Sequence, residues 1–308
     1  MERKPWHGVM VATALPLRAG DPSDDGPDDR PDDLAVDFDG YAAHCRWLVD
    51  NGCDGVVANG SLGEYQTLTP RERARVIETA VEAVGGARVM AGVGAYGAAE
   101  SRRWAEQARE AGCGSVLLLP PNAYRADERA VLAHYREVAR AGLPVVAYNN
   151  PYDTKVDLTP ALLARLHQEG LIVAVKEFSG DVRRAYELAE LAPGLELLVG
   201  SDDVLLELAV AGVTGWVAGY PNALPASTVA LYRAAVAGDL ATALPLYRTL
   251  HPLLRWDSKT EFVQAIKLSM DLAGRYGGPC RQPRQPLTGE QAAAVLAATE
   301  KALAEGLR

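Results

Sequence analysis

The stretch Leu171-Ile172-Val173-Ala174-Val175-Lys176-Glu177-Phe178 sets five apolar residues directly before a lysine. A short, β-branched apolar run reads as a strand covered on both faces, the kind found in parallel sheets. The strand is expected over Leu171–Val175, with Lys176 at its end. A lysine in that position is most often structural, reaching water or a carboxylate. When desolvated, its pKa falls and the amine becomes a nucleophile toward carbonyl carbon. The chain has six lysines, and Lys176 alone closes a buried-strand pattern.

Outward from this run the pattern repeats. Strands are expected at Gly8–Leu15, Gly55–Ala58, Arg88–Val93, Ser115–Leu119, Pro144–Tyr148, Leu195–Val199 and Gly215–Ala218. Helical segments alternate with them at 37–51, 70–84, 98–111, 127–141, 159–168, 181–191, 203–211 and 226–237. Thr69 and Pro70 mark a helix start, as N-cap and first position. Eight strands, each followed by a helix, predict a parallel (β/α)8 barrel over residues 1–239. A doubly wound sheet is the rival, but no glycine-rich dinucleotide fingerprint follows the first strand. From Leu240 the strand pattern ends, and helical periodicity over 241–256, 260–272 and 289–303 predicts a C-terminal helical region, 240–308.

Arg18–Asp37 departs from this order. It holds Asp21, Asp24, Asp25, Asp28, Asp29, Asp32 and Asp33 with three prolines and two glycines, a composition that reads as a solvated loop. It lacks the spaced glycine and closing glutamate of a calcium loop. The chain has 308 residues with a net charge of −9, which argues against a general nucleic-acid or anionic-membrane binder. No apolar run approaches the length of a membrane span, and the first residues carry no apolar signal core. Cys45, Cys53, Cys113 and Cys280 show no metal-site spacing and are expected as reduced thiols of a cytoplasmic protein.

Barrel enzymes carry their chemistry on the loops after the strands. Gly60-Ser61-Leu62-Gly63-Glu64 follows the second strand, where glycines let backbone N–H groups approach a carboxylate. Tyr148-Asn149-Asn150-Pro151 follows the fifth, Lys176 the sixth, Gly200-Ser201-Asp202 the seventh and Gly219-Tyr220-Pro221-Asn222 the eighth. A lysine amine forms a Schiff base with a ketone, and a neighbouring tyrosine can carry the protons that this requires.

Together with Gly212-Val213-Thr214-Gly215, these motifs resemble the dihydrodipicolinate synthase / N-acetylneuraminate lyase family over nearly the whole chain, the acidic loop excepted. The resemblance implies a class I, Schiff-base lyase acting on a 2-oxo acid, in a cytoplasmic homo-oligomer (dimer or tetramer) with no metal or organic cofactor. It implies Lys176 as the Schiff-base lysine, Tyr148 as proton shuttle and Ser61 as a hydroxyl of the proton relay. Gly60, Leu62, Val217, Asn122, Asp153 and Ser201 fall at or beside positions that meet the substrate.

Three of these positions depart from the family pattern. Leu62 replaces a threonine. Asp153 stands where the synthases carry an arginine for the second substrate's carboxylate, which disfavours the 4-hydroxy-tetrahydrodipicolinate synthase reading. Asn122 stands at the relay tyrosine, with Tyr124 two residues on. Tyr148–Tyr152 and Lys176–Gly180 look similar to a subgroup of hydroxyproline breakdown that deaminates pyrroline-4-hydroxy-2-carboxylate. Sugar-acid dehydratases and 2-keto-3-deoxy acid aldolases share the resemblance. A non-catalytic metabolite-binding barrel is the reading from another class, since fold alone does not fix function. A metal-dependent aldolase finds no clustered ligand set in the sequence.

Overall fold

The structure, a computed structural model, describes residues 3–19 and 33–308. Parallel strands Gly8–Ala12, Gly55–Ala58, Val89–Gly92, Ser115–Leu118, Val145–Asn149, Ala174–Glu177, Glu196–Val199 and Gly215–Ala218 close into a barrel in chain order, the last pairing back to the first. This is the expected (β/α)8 barrel. Every residue of the second, third, fourth, fifth, sixth and eighth strands is buried, which explains why they read as apolar runs rather than alternations.

Helix ends follow their caps. Thr69 accepts from the Glu72 amide at 3.2 Å while the Glu72 carboxylate accepts from the Thr69 amide at 2.9 Å, a reciprocal cap on Pro70–Val84. Asp37, Asp127 and Thr159 cap the helices Phe38–Asp50, Glu128–Ala139 and Pro160–Gln168 through their side chains.

Two expectations need correction. The sixth strand is Ala174–Glu177, not Leu171–Val175, so Lys176 lies inside the strand instead of just beyond it. Leu171 still belongs to the exit of the preceding helix, its N–H bonded to Leu166 O at 3.0 Å after the left-handed Gly170. Hydrogen bonds, not hydropathy, define the ladder, and they carry on through the two charged residues. The second correction concerns the acidic loop. Leu17–Ala19 and Leu34–Val36 form an antiparallel ribbon, closed by an ion pair between Arg18 and Asp37. Six of the seven aspartates, all but Asp33, lie outside the described residues.

The C-terminal helices are Leu240–Leu254, Phe262–Leu272 and Gly289–Ala304. They are tied to the barrel by buried charge. Glu64 is completely buried in a left-handed conformation (φ 52°) and accepts from Lys267 Nζ at 2.7 Å and from the Arg281 amide at 2.9 Å. The Arg281 guanidinium in turn grips both oxygens of Glu72 at 2.6 and 2.9 Å. All four cysteines are unpaired. Among the described residues no helix is long and apolar enough to cross a membrane.

Candidate active site

The strand register builds the centre of the site. Tyr148 and Lys176 are direct partners across the fifth and sixth strands, as are Asn149 and Glu177 one step later. Because side chains alternate along a strand, Tyr148 and Lys176 share one face and Asn149 and Glu177 the other. Lys176 and Tyr148 line a cavity of about 560 Å³ at the C-terminal end of the barrel. Glu177 is buried away from it, accepting from Asn149 Nδ2 at 2.9 and 3.1 Å and from the Ser179 amide at 2.6 Å. This tie fixes the ends of the two strands against each other.

Lys176 is only 7% exposed, and its Nζ stands 4.2 Å from the centre of the Tyr148 ring. Burial lowers the pKa of its amine, while Asp257 and Asp202 pull in the opposite direction without cancelling it. Burial likewise raises the Tyr148 phenol well above its usual range. Its hydroxyl oxygen accepts from Asn150 Nδ2 at 3.3 Å, which leaves the O–H free to donate into the cavity.

The cavity brings together most of the residues singled out from sequence: Gly60, Ser61, Leu62, Asn122, Tyr148, Asp153, Lys176 and Val217. Ser201 is not among them. It is buried at the entry to the turn Asp202–Val204. In the Gly60–Glu64 loop the Gly63 N–H is spent on Gly60 O, and a Cβ on Gly63 would meet Thr13 O at 3.1 Å. Among the described residues the Ser61 and Leu62 N–H groups have no protein acceptor, so they remain as donors for an anion. Asn122 lines the cavity, whereas Tyr124 is 61% exposed and outside it.

Several residues in or behind the wall were not singled out from sequence. Tyr65 places a phenol in the cavity, where Asn122 also lines the wall. Lys259 and Arg284 bring cations from the C-terminal region, each resting on an aromatic ring, Trp256 and Phe262 respectively. Asp257 lines the cavity and Asp202 lies behind it, both buried. Asp202 was in view as the neighbour of Ser201. Asp257 falls in the break between two predicted helices, where a charged residue carries no sequence signal of burial. Among the described residues no group of three or more His, Cys, Asp or Glu is placed to hold a metal ion.

The Dihydrodipicolinate synthetase family profile matches residues 31–302. This chain belongs to that family. Its members are lyases that work through a lysine Schiff base, and this chain is one of them. A 4-hydroxy-tetrahydrodipicolinate synthase of Acidothermus cellulolyticus is 36% identical over 94% of this chain and 90% of its own length. An uncharacterized DapA-like lyase of Halobacterium salinarum is 34% identical over 85% of this chain and 87% of its own. A putative dihydrodipicolinate synthetase structure from Pseudomonas aeruginosa superposes with a TM-score of 0.86 at 28% identity, covering 96% of this chain and 98% of that one.

Proposed function

We propose that Lys176 is the Schiff-base lysine of a lyase acting on a small 2-oxo or cyclic imine acid. The observation that carries this is the desolvated Lys176 amine, register-paired with Tyr148 at the floor of the cavity. The substrate carboxylate would meet the Ser61 and Leu62 N–H groups, bringing its C2 toward Nζ. The amine adds to C2; from a 2-oxo acid the carbinolamine oxygen then leaves as water after protonation, and from the cyclic imine the protonated ring nitrogen leaves C2 and opens the ring. Tyr148 suits that donation because its contact with Asn150 leaves the O–H free to point into the cavity. Tyr148→Phe is expected to slow adduct formation by about 100-fold or more, measured by quenched-flow reductive trapping. An unchanged trapping rate would remove Tyr148 from that role.

The substrate reading we favour is pyrroline-4-hydroxy-2-carboxylate, taken up with one water and released as 2-oxoglutarate semialdehyde and ammonia. It rests on the motif similarity of Tyr148–Tyr152 and Lys176–Gly180, and on Asp153. The Asp153 carboxylate sits at the rim, accepting from Asn150 Nδ2 at 2.8 Å, and would repel a second carboxylate while accepting from a hydroxyl. A second reading is synthesis of 4-hydroxy-tetrahydrodipicolinate from pyruvate and an amino acid semialdehyde. The name of the Acidothermus relative favours it, as do Lys259 and Arg284, which line the cavity and would attract the second anion. Ammonia release from the pyrroline acid, assayed beside pyruvate consumption with the semialdehyde, separates the two. We also expect a dimer or tetramer, to be checked by light scattering.

The lowered amine pKa carries a pH signature. Only neutral lysine is nucleophilic, so the neutral fraction grows as pH rises through the folded-state pKa. Cyanoborohydride trapping of a 2-oxo acid is expected to rise through an inflection below the ordinary lysine value of about 10.4. An inflection at that ordinary value would contradict the desolvated amine.

A further inference from the structure

The carbon beside an iminium must lose a proton for the enamine to form, and in this cavity Asn122 takes the place of the family's relay tyrosine. Leu62 has no titratable group, Asn122 is an amide, and Tyr148 already serves the carbinolamine oxygen. Burial raises the phenol of Tyr65. Among the described residues the carboxylates that line the cavity are Asp153 and Asp257. Asp153 is exposed at the rim and tied to Asn150. Asp257 is 9% exposed and sits against the end of the eighth strand, where a Cβ on Gly219 would stand 2.7 Å from its Oδ1. Among the described residues its Oδ2 accepts only a long, 3.4 Å bond from the Asp202 amide.

We propose that Asp257 is a catalytic residue of this site, the carboxylate that takes the proton from the substrate carbon next to the Lys176 iminium and returns it later in the cycle. The C–H bond breaks, its electron pair forms the C=C bond of the enamine, and the iminium π pair moves to nitrogen. The proton ends as the O–H of Asp257, which then delivers it to the leaving group or back to carbon. No oxidant or further reactant is needed.

The surroundings fit a carboxyl that exchanges a proton. Asp202 lies directly behind, held by Trp216 Nε1 at 2.9 Å and by the Gly219 and Tyr220 amides, each at 3.0 Å. Burial raises both pKa values; the Asp257 charge raises that of Asp202 further, while Lys176 pulls that of Asp257 back down. Of the pair, Asp257 alone reaches the cavity, so it is the member able to hand a proton to substrate.

The proposal rests on Lys176 as the Schiff-base lysine, and its test keeps the two apart. Wild-type protein is mixed with pyruvate in D2O, and two quantities are read: the reductively trapped adduct on Lys176, and loss of the methyl protons of pyruvate by NMR. Failure of the wild type to form an adduct with pyruvate or any other 2-oxo acid would overturn the Lys176 reading and this one with it. If the wild type reacts, Asp257→Asn is expected to keep adduct formation within about threefold while exchange falls by about 100-fold or more. Asp257→Ala is expected to show the same split, with exchange restored at least about tenfold by added formate. Exchange near the wild-type rate in a folded variant would overturn the assignment to Asp257 alone. So would parallel loss of adduct and exchange without formate rescue, because Asp257 would then serve only to support Lys176.

Discussion

Replacing Lys176 with alanine is expected to remove turnover by at least about 10^4-fold, the scale on which enzymes lose rate when a covalent nucleophile is deleted. No adduct should survive reduction of a mixture with any 2-oxo acid. The cavity holds a second amine, Lys259, but that side chain is exposed and rests on the Trp256 ring. An exposed side chain with no tyrosine paired to it does not substitute for the buried amine, which has Tyr148 beside it. Peptide mapping of the wild-type adduct therefore places the added mass on Lys176 rather than Lys259. Lys176→Arg makes the companion measurement. Arginine keeps a cation beside Asp257 and Asp202 but is not a nucleophile, so the variant should fold and remain inactive. Turnover in either variant, measured with the substrate that the wild type uses best, would discard the Schiff-base role of this residue.

The same lysine shows how far the sequence could be read. The apolar run before it was enough to place a parallel strand, and eight such runs were enough for the barrel, because strands buried on both faces cannot hide their composition. The end of the sixth strand was misplaced because hydropathy stops at the first charge while the ladder does not. It runs on to pair Tyr148 with Lys176 and Asn149 with Glu177, and the functional pair is thus part of the sheet itself. Gly60–Leu62, Asn122 and Asp153 could be placed in the cavity because the loops after barrel strands share one face. Ser201 could not: its loop turns down at once into Asp202–Val204, and Asp202 is the residue whose side chain lies behind the cavity wall. Asp257 lies far beyond Lys176 in the chain and was invisible for a simpler reason. A carboxylate between two helices reads as solvated, and only tertiary packing buries it. Glu64 had been in view as part of a loop motif. Its side chain points into the C-terminal helices, to a lysine whose own helix reads merely as amphipathic.

That contact leads to the second large effect. Lys267→Met is expected to destabilise the protein by about 3–5 kcal/mol, the usual result of stripping one partner from a buried ion pair, read by denaturant unfolding. Lys267 is 2% exposed and Glu64 fully buried, so no water replaces the lost ammonium. The Lys267 Nζ also donates to Pro279 O at 2.7 Å, and loss of that bond frees the segment that carries Cys280 and Arg281. Glu64 is held with φ at 52°, a conformation that a non-glycine residue adopts only under outside constraint. Once released, it relaxes toward ordinary backbone angles and takes with it the Ser61–Glu64 turn, whose Glu64 N–H bonds Ser61 O at 3.1 Å. The Ser61 and Leu62 donors then lose their fixed direction. The loss should therefore appear in KM for the keto acid as well as in stability, although Lys267 does not touch the cavity. Glu64→Gln in the same chain removes the stranded charge, and the double variant should recover part of the stability lost by Lys267→Met alone. It should not recover KM, because the amide that replaces the Glu64 carboxylate finds no ammonium to hold the left-handed turn. Strictly additive losses, or a KM unchanged in the single variant, would separate the C-terminal helices from the substrate loop and make their docking a matter of stability alone.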